Sequence, residues 1–155
     1  MKAETYRDLI EWTQQLHGQL ASRLEAGAAD SQTGERMSAL LRYLAEHERR
    51  MQQMVLRFEQ QADTKVLDSW VYDHFTDNPR MRMLDAGQSF AGLDHDALCA
   101  LVFDLHNDAL DLYRYLQGRA ETAGGRELMQ DLLAMEEHET LRLADALPAD
   151  PTRER

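Results

Sequence analysis

An all-α fold of four long helices, paired as two hairpins and joined by a long crossover, is what the sequence predicts. Three observations predict it. Leu, Ala, Glu, Arg, Gln and Met are abundant, and only 8 Gly and 3 Pro occur in 155 residues, so helix formers outweigh breakers. Apolar residues recur at three- and four-residue spacing in four segments, whereas nothing alternates with period two over a useful length. The two halves also echo each other. Each reads Leu-His, a small-residue break, a Gly and Arg pair, a Leu run and then Glu-His-Glu.

The first helix is expected from about Thr5 to Glu25, with Tyr6, Leu9, Ile10, Thr13, Leu16, His17, Leu20 and Leu24 on one side. Thr5 followed by Asp8 is a start signal, and "GAADSQTG" at 27–34 ends the segment. The second runs from about Glu35 to Ala62. Its Met37, Leu41, Leu44, Glu48, Met51, Val55 and Phe58 form a heptad seam. The third starts after Asp94 as N-cap and carries Leu98, Leu101, Val102, Leu105, Ala109, Leu112 and Leu116, with "TAGG" at 122–125 as its break. The fourth runs from about Arg126 to Leu147, with Leu128, Leu132, Met135, Glu139 and Leu143 inward, until Pro148 and Pro151 stop it. Residues 1–147 therefore read as one domain and 148–155 as a flexible tail.

Residues 63–93 separate the second and third helices. A loop that long is unusual in a compact domain. It is required if those two helices run parallel, because a helix of about 26 residues is about 40 Å long. Within it, "KVLDSWVYDHF" is expected to form a short helix laying Val66, Leu67, Trp70, Val71 and Phe75 over the bundle.

A net charge of -11 argues against nucleic acid or an anionic membrane as partner, since both call for a basic surface. Cys99 is the single cysteine, so no internal disulfide and no CxxC motif exists, and a reducing cytoplasm is the expected compartment. No apolar run approaches the ~18 residues of a spanning helix.

Against that background, Glu48 and Glu139 stand out as acids on faces that should be oily, and His17 and His106 sit at matching places in the first and third helices. The helix layout and repeat resemble the ferritin-like superfamily, including rubrerythrin-type di-iron proteins, over nearly the whole chain. The resemblance implies an antiparallel four-helix bundle with the long crossover between helices two and three. It also implies a Glu on helices one and three and Glu-x-x-His on helices two and four, because i and i+3 share a helix face. Glu48 and Glu139 match the inward Glu of that pattern, and the remainder departs from it. Met51 and Arg142 stand where His is implied, and His17 and His106 where Glu is. A guanidinium cannot ligate, so Arg142 is expected to replace a cation's charge beside Glu139.

Three arrangements of the central residues stay open. In the first, His17 pairs with Glu48, and His106 with Glu139 or its partners, as buried hydrogen-bonded groups. Alternatively, His17, Glu48, His106 and Glu139 hold one Fe, Mn or Zn ion. In the third, the helical phase differs and these groups are exposed or at an interface. His47 and His138, each next to an inward Glu, read as rim residues contacting a neighbouring helix, or as a metal ligand or a donor to a carboxylate. His74 and His95 read as solvent-facing or capping. The methionines fill space, and Asp104, Asp108 and Asp111 form a solvated face. Trp12, Trp70 and Phe75 cover the bundle or form a homodimer contact. A hemerythrin-like centre fails on ligand count, and no HExxH, phosphate loop or nucleophile elbow occurs.

The expected function is that of a small cytoplasmic bundle without the usual di-iron site or any cofactor, acting by binding as a homodimer or adaptor. The alternative is a metal-storage or oxidative-stress protein using an altered His/Glu site. A non-metal enzyme with Glu48 or Glu139 as general base is the third.

Overall fold

Caps fix where the helices begin. The computed structural model describes residues 3–71 and 89–147, and among these it is all-helical apart from one isolated bridge. Helix α1 (Tyr6–Ala29) opens on a capping box, in which Thr5 accepts from the Asp8 amide and Asp8 accepts from the Thr5 amide. Helix α2 spans Glu35–Gln61 and the single-turn α3 spans Thr64–Leu67. Helix α4 (His95–Arg119) is capped by Asp94, which accepts from Ala97. Helix α5 (Ala123–Ala146) is capped by Thr122, which accepts from Gly125.

Two ends differ from the sequence expectation. Helix α1 continues through Gly27 to Ala29, and α5 starts at Ala123, so the glycines of "TAGG" lie in its first turn. Gly125 is required there by a close approach. A Cβ on it would fall 2.5 Å from the Tyr6 hydroxyl and 2.8 Å from the ring carbon that bears it. Tyr6 is itself buried, so its ring has little room to yield. Gly125→Ala should therefore destabilise by about 1–3 kcal/mol from overpacking, against a helix-propensity gain of about 1 kcal/mol. Thermal unfolding checks this, and a rise in Tm would contradict the packing at α1 and α5.

Side-chain pairs set the running directions. His17 meets Glu48 and Gln14 meets Glu59, so α1 and α2 are antiparallel. Thr13 meets Tyr113 while His17 lies beside His106, so α1 and α4 are antiparallel too. Tyr6 abuts Gly125 and His17 reaches Glu136, which makes α5 parallel to α1. It follows that α2 and α4 share a direction, and the connection 62–94 has to return from the end of one to the start of the other.

That connection departs from expectation at Trp70. Its helix stops after one turn because the following backbone pairs instead with the chain before α1. Tyr6 N–H donates to Ser69 O, and Val71 N–H donates to Glu4 O. Leu67 and Val71 are buried by this strap, Val66 half so, but Trp70 is 69% exposed and covers nothing. Phe75 and His74 lie outside the described residues. Trp12 is half-buried against the core.

The internal repeat is real, and the buried positions measure it. Leu9, Thr13, Leu16, His17, Leu20 and Leu24 on α1 correspond to Leu98, Val102, Leu105, His106, Ala109 and Tyr113 on α4, each 89 positions later. On the second helix of each hairpin the offset is 88. Leu41, Leu44, Glu48, Met51 and Val55 correspond to Met129, Leu132, Glu136, Glu139 and Leu143. The Glu-His-Glu strings, 91 apart, are thus one turn out of structural register. Among the described residues no helix is long and apolar enough to cross a membrane.

Candidate metal centre

All four long helices deliver a polar side chain to one buried point. Glu48 of α2, fully buried, stands at its centre. Its Oε2 lies 2.6 Å from His17 Nδ1 of α1, and its Oε1 lies 2.5 Å from His106 Nε2 of α4. The outer nitrogen of each ring is also held. His17 Nε2 is 2.8 Å from Glu136 Oε1 of α5. His106 Nδ1 is 3.2 Å from Thr140 Oγ1 of the same helix. The Thr140 hydroxyl donates to the Glu136 carbonyl, which leaves its oxygen to accept from His106. The two rings meet edge to face, 5.7 Å between centroids.

Helical spacing explains the convergence. Glu136 and Thr140 are one turn apart on α5, so one side chain anchors His17 and the other His106. Beneath them, Tyr113 of α4 donates to Thr13 Oγ1 at 2.7 Å, because the Thr13 proton is already given to the Leu9 carbonyl. Burial and the neighbouring Glu136 carboxylate push the Tyr113 phenol well above its usual range, so it stays a neutral donor.

Electrostatics follow from burial opposed by pairing. Burial alone would lower the His17 pKa, but Glu136 and Glu48 outweigh it and raise it to about 10. Burial would raise the Glu48 carboxyl, yet His106 and His17 hold it well below the usual carboxylate range. The hydrogen bonds can also be counted. Four contacts to imidazole nitrogens need four protons, and two neutral rings carry two. The closed network therefore holds two further protons against two carboxylates. It is neutral as a whole, which is how such a cluster tolerates a dry interior.

Of the residues expected here, His17, Glu48 and His106 do come together, but Glu139 and Arg142 do not join them. Glu139 sits at the rim, 4.0 Å from His47 Nε2, and its partner Arg142 donates to it at 3.2 Å. The Arg142 side chain is 68% exposed, so its charge lies in water and stands in for no buried cation. The physical reason is the one-turn shift: Glu136, not Glu139, occupies the position that matches Glu48. His138 is exposed for the same reason, whereas its sequence counterpart His47 is buried. His47 stacks on His106 at 6.1 Å, 3.9 Å from Glu48 Oε1, and neither of its ring nitrogens has a hydrogen-bond partner. The spacing of the apolar stripe on α5 carries the signal for Glu136, since 129, 132, 136, 139 and 143 repeat the steps of 41, 44, 48, 51 and 55.

The ligand atoms of His17, Glu48 and His106 all lie within 4.8 Å of one another. Bonds of about 2.0–2.2 Å to one shared ion require separations of no more than about 4.4 Å, so the three side chains would draw slightly closer around it. No family model matches the chain, and neither a curated protein nor a solved structure does. The chemistry of the site therefore rests on its own geometry.

Proposed function

We propose that the chain is a ferritin-like four-helix bundle that binds one divalent transition-metal ion, Zn, Fe or Mn, through His17, Glu48 and His106. The parallel α2 and α4, and the long connection between them, support the architectural half of that reading. One observation carries the metal half. Each imidazole turns one nitrogen to Glu48 while its other nitrogen is fixed by an acceptor, Glu136 for His17 and Thr140 for His106. Metal-binding histidines are held in this way, by an outer partner that sets the tautomer and the ring plane. Two imidazoles and one carboxylate suit Zn, Fe(II) or Mn(II), and three protein ligands leave a position open to water or a small ligand.

Metal analysis of untagged protein, followed by titration of the chelator-treated chain, tests the proposal. One ion per chain is expected, lost in His106→Ala and in Glu48→Gln. At a free-ion concentration a hundred times Kd, the stabilisation is about 2.7 kcal/mol, or roughly 5–11 °C in Tm. Protein that holds no stoichiometric ion and unfolds identically with and without chelator would refute it. A second reading is a metal-free bundle acting through binding, and the proton-closed network, complete without an ion, is the observation that supports it.

A further inference from the structure

The geometry points to a binding site for a small amphipathic carboxylic acid in the cleft between α2 and α5. The cleft has a volume of about 840 Å³, within the range of small-molecule sites. On α2, His47, Arg50, Met54 and Arg57 face it at helical spacing, and on α5 Glu139 and Arg142 do. It carries an observation that asks for a ligand. His47 is 4% exposed, both of its nitrogens lack a partner, and its Nε2 edge is turned toward Glu139 on the cleft wall. A buried polar group left in that state is unsatisfied, a cost that a ligand atom at hydrogen-bond distance would offset.

Charge selects the class of ligand. Arg50, Arg57 and Arg142 line the cleft against Glu139 and Asp145, which leaves one net positive charge on a chain whose total is -11. A monoanion matches that balance better than a phosphate dianion. Guanidinium forks also accept a carboxylate in bidentate fashion. Because α2 and α5 run antiparallel, Arg50, one turn beyond His47, and Arg142, one turn beyond Glu139, bracket the His47–Glu139 level of the cleft from opposite sides. The rest of the floor is apolar, with Met54, Phe58 and Leu143. The carboxylate belongs between Arg50 and Arg142 above His47, and an aliphatic or aromatic body lies along Met54 and Phe58. None of this requires the metal reading, because no contact invoked here is a proposed ligand.

Calorimetric titration with octanoate, in the presence of chelator at about 0.15 M salt, tests the site. One octanoate per chain is expected. Arg50→Ala and Arg142→Ala should each weaken it about tenfold, and His47→Leu should weaken it as well. Octanol and octylamine, which share the chain but not the charge, should bind at least tenfold more weakly. Both arginines are exposed, so their variants fold normally, and circular dichroism verifies that. Absence of octanoate binding, octanol binding as tightly as octanoate, or arginine variants binding unchanged would overturn the proposal. Inorganic phosphate binding more tightly than octanoate would also overturn it, by reassigning the arginines to phosphate.

Discussion

Replacing Glu48 by Ala is expected to destabilise the chain by about 3–5 kcal/mol, the cost of removing one partner from a buried charge pair. In a chain of this length that is roughly 6–20 °C in Tm. Glu48 accepts from two buried rings at once, and its removal leaves both nitrogens without their carboxylate. Glu48→Gln keeps the shape and can still accept, so it should cost less while still abolishing metal binding. Glu136→Ala should fall in the same severe class, because His17 Nε2 loses its acceptor. Glu139→Ala should cost no more than about 1 kcal/mol, since its ion-pair partner is an exposed arginine. Urea unfolding of the four variants decides this. Glu139→Ala as damaging as Glu136→Ala would return the inner carboxylate to the place suggested by the Glu-His-Glu string.

His47 tests the opposite direction. His47→Leu removes two unpartnered buried nitrogens and adds apolar contact, so stability should rise by about 1 kcal/mol even as the cleft loses its polar floor. Loss of stability in that variant would mean that the contacts near 4 Å to Glu48 and Glu139 hold His47 more firmly than their length implies.

How much of this was legible in the sequence depends on the length scale of the signal. Helix class and number were legible because each apolar stripe spans many turns, and one misplaced residue does not change its period. His17, Glu48 and His106 were legible because each interrupts such a stripe. Glu136 was not, because a repeated three-letter string competed with the stripe for the alignment, and the string was one turn off. A string records identity, whereas a stripe records which face is buried, and burial decides what meets in the core. Trp70 failed for a different reason. The hydrogen bonds of Tyr6 to Ser69 and of Val71 to Glu4 join segments more than sixty positions apart, so local propensity contains no trace of them. The early end drawn at "GAADSQTG" and the late start drawn after "TAGG" have a third cause. Small residues weaken a helix in isolation, but here Gly27 packs against Leu41 and Gly125 against Tyr6, and tertiary contact outweighs propensity.

Metal binding should release about two protons per ion, and metal-free stability should move with pH in the direction opposite to metal affinity. When His17 ligates through Nδ1, its Nε2 proton stays with Glu136. When His106 ligates through Nε2, its Nδ1 proton stays with Thr140. Only the two protons shared with Glu48 must leave, so a divalent ion replaces them at constant net charge. Affinity then rises by up to about a hundredfold per pH unit while both remain bound. The metal-free chain behaves in reverse. The His17 pKa is raised from 6.5 to about 10, so its contribution is complete below pH 6.5 and is lost as pH rises through about 10. Each unit in that window removes up to about 1.4 kcal/mol. Glu48 is depressed, so its contribution is complete above its ordinary value of 4.5 and is lost as pH falls well below that. Chelated protein should therefore be most stable near pH 4.5–6.5 and weaken toward pH 9, while the Tm gap opened by Zn widens over the same interval. Calorimetry in buffers of different ionisation enthalpy counts the protons. A count near zero would place the ion away from Glu48, and a pH-independent Tm for the chelated chain would mean that His17 carries no proton between its two carboxylates.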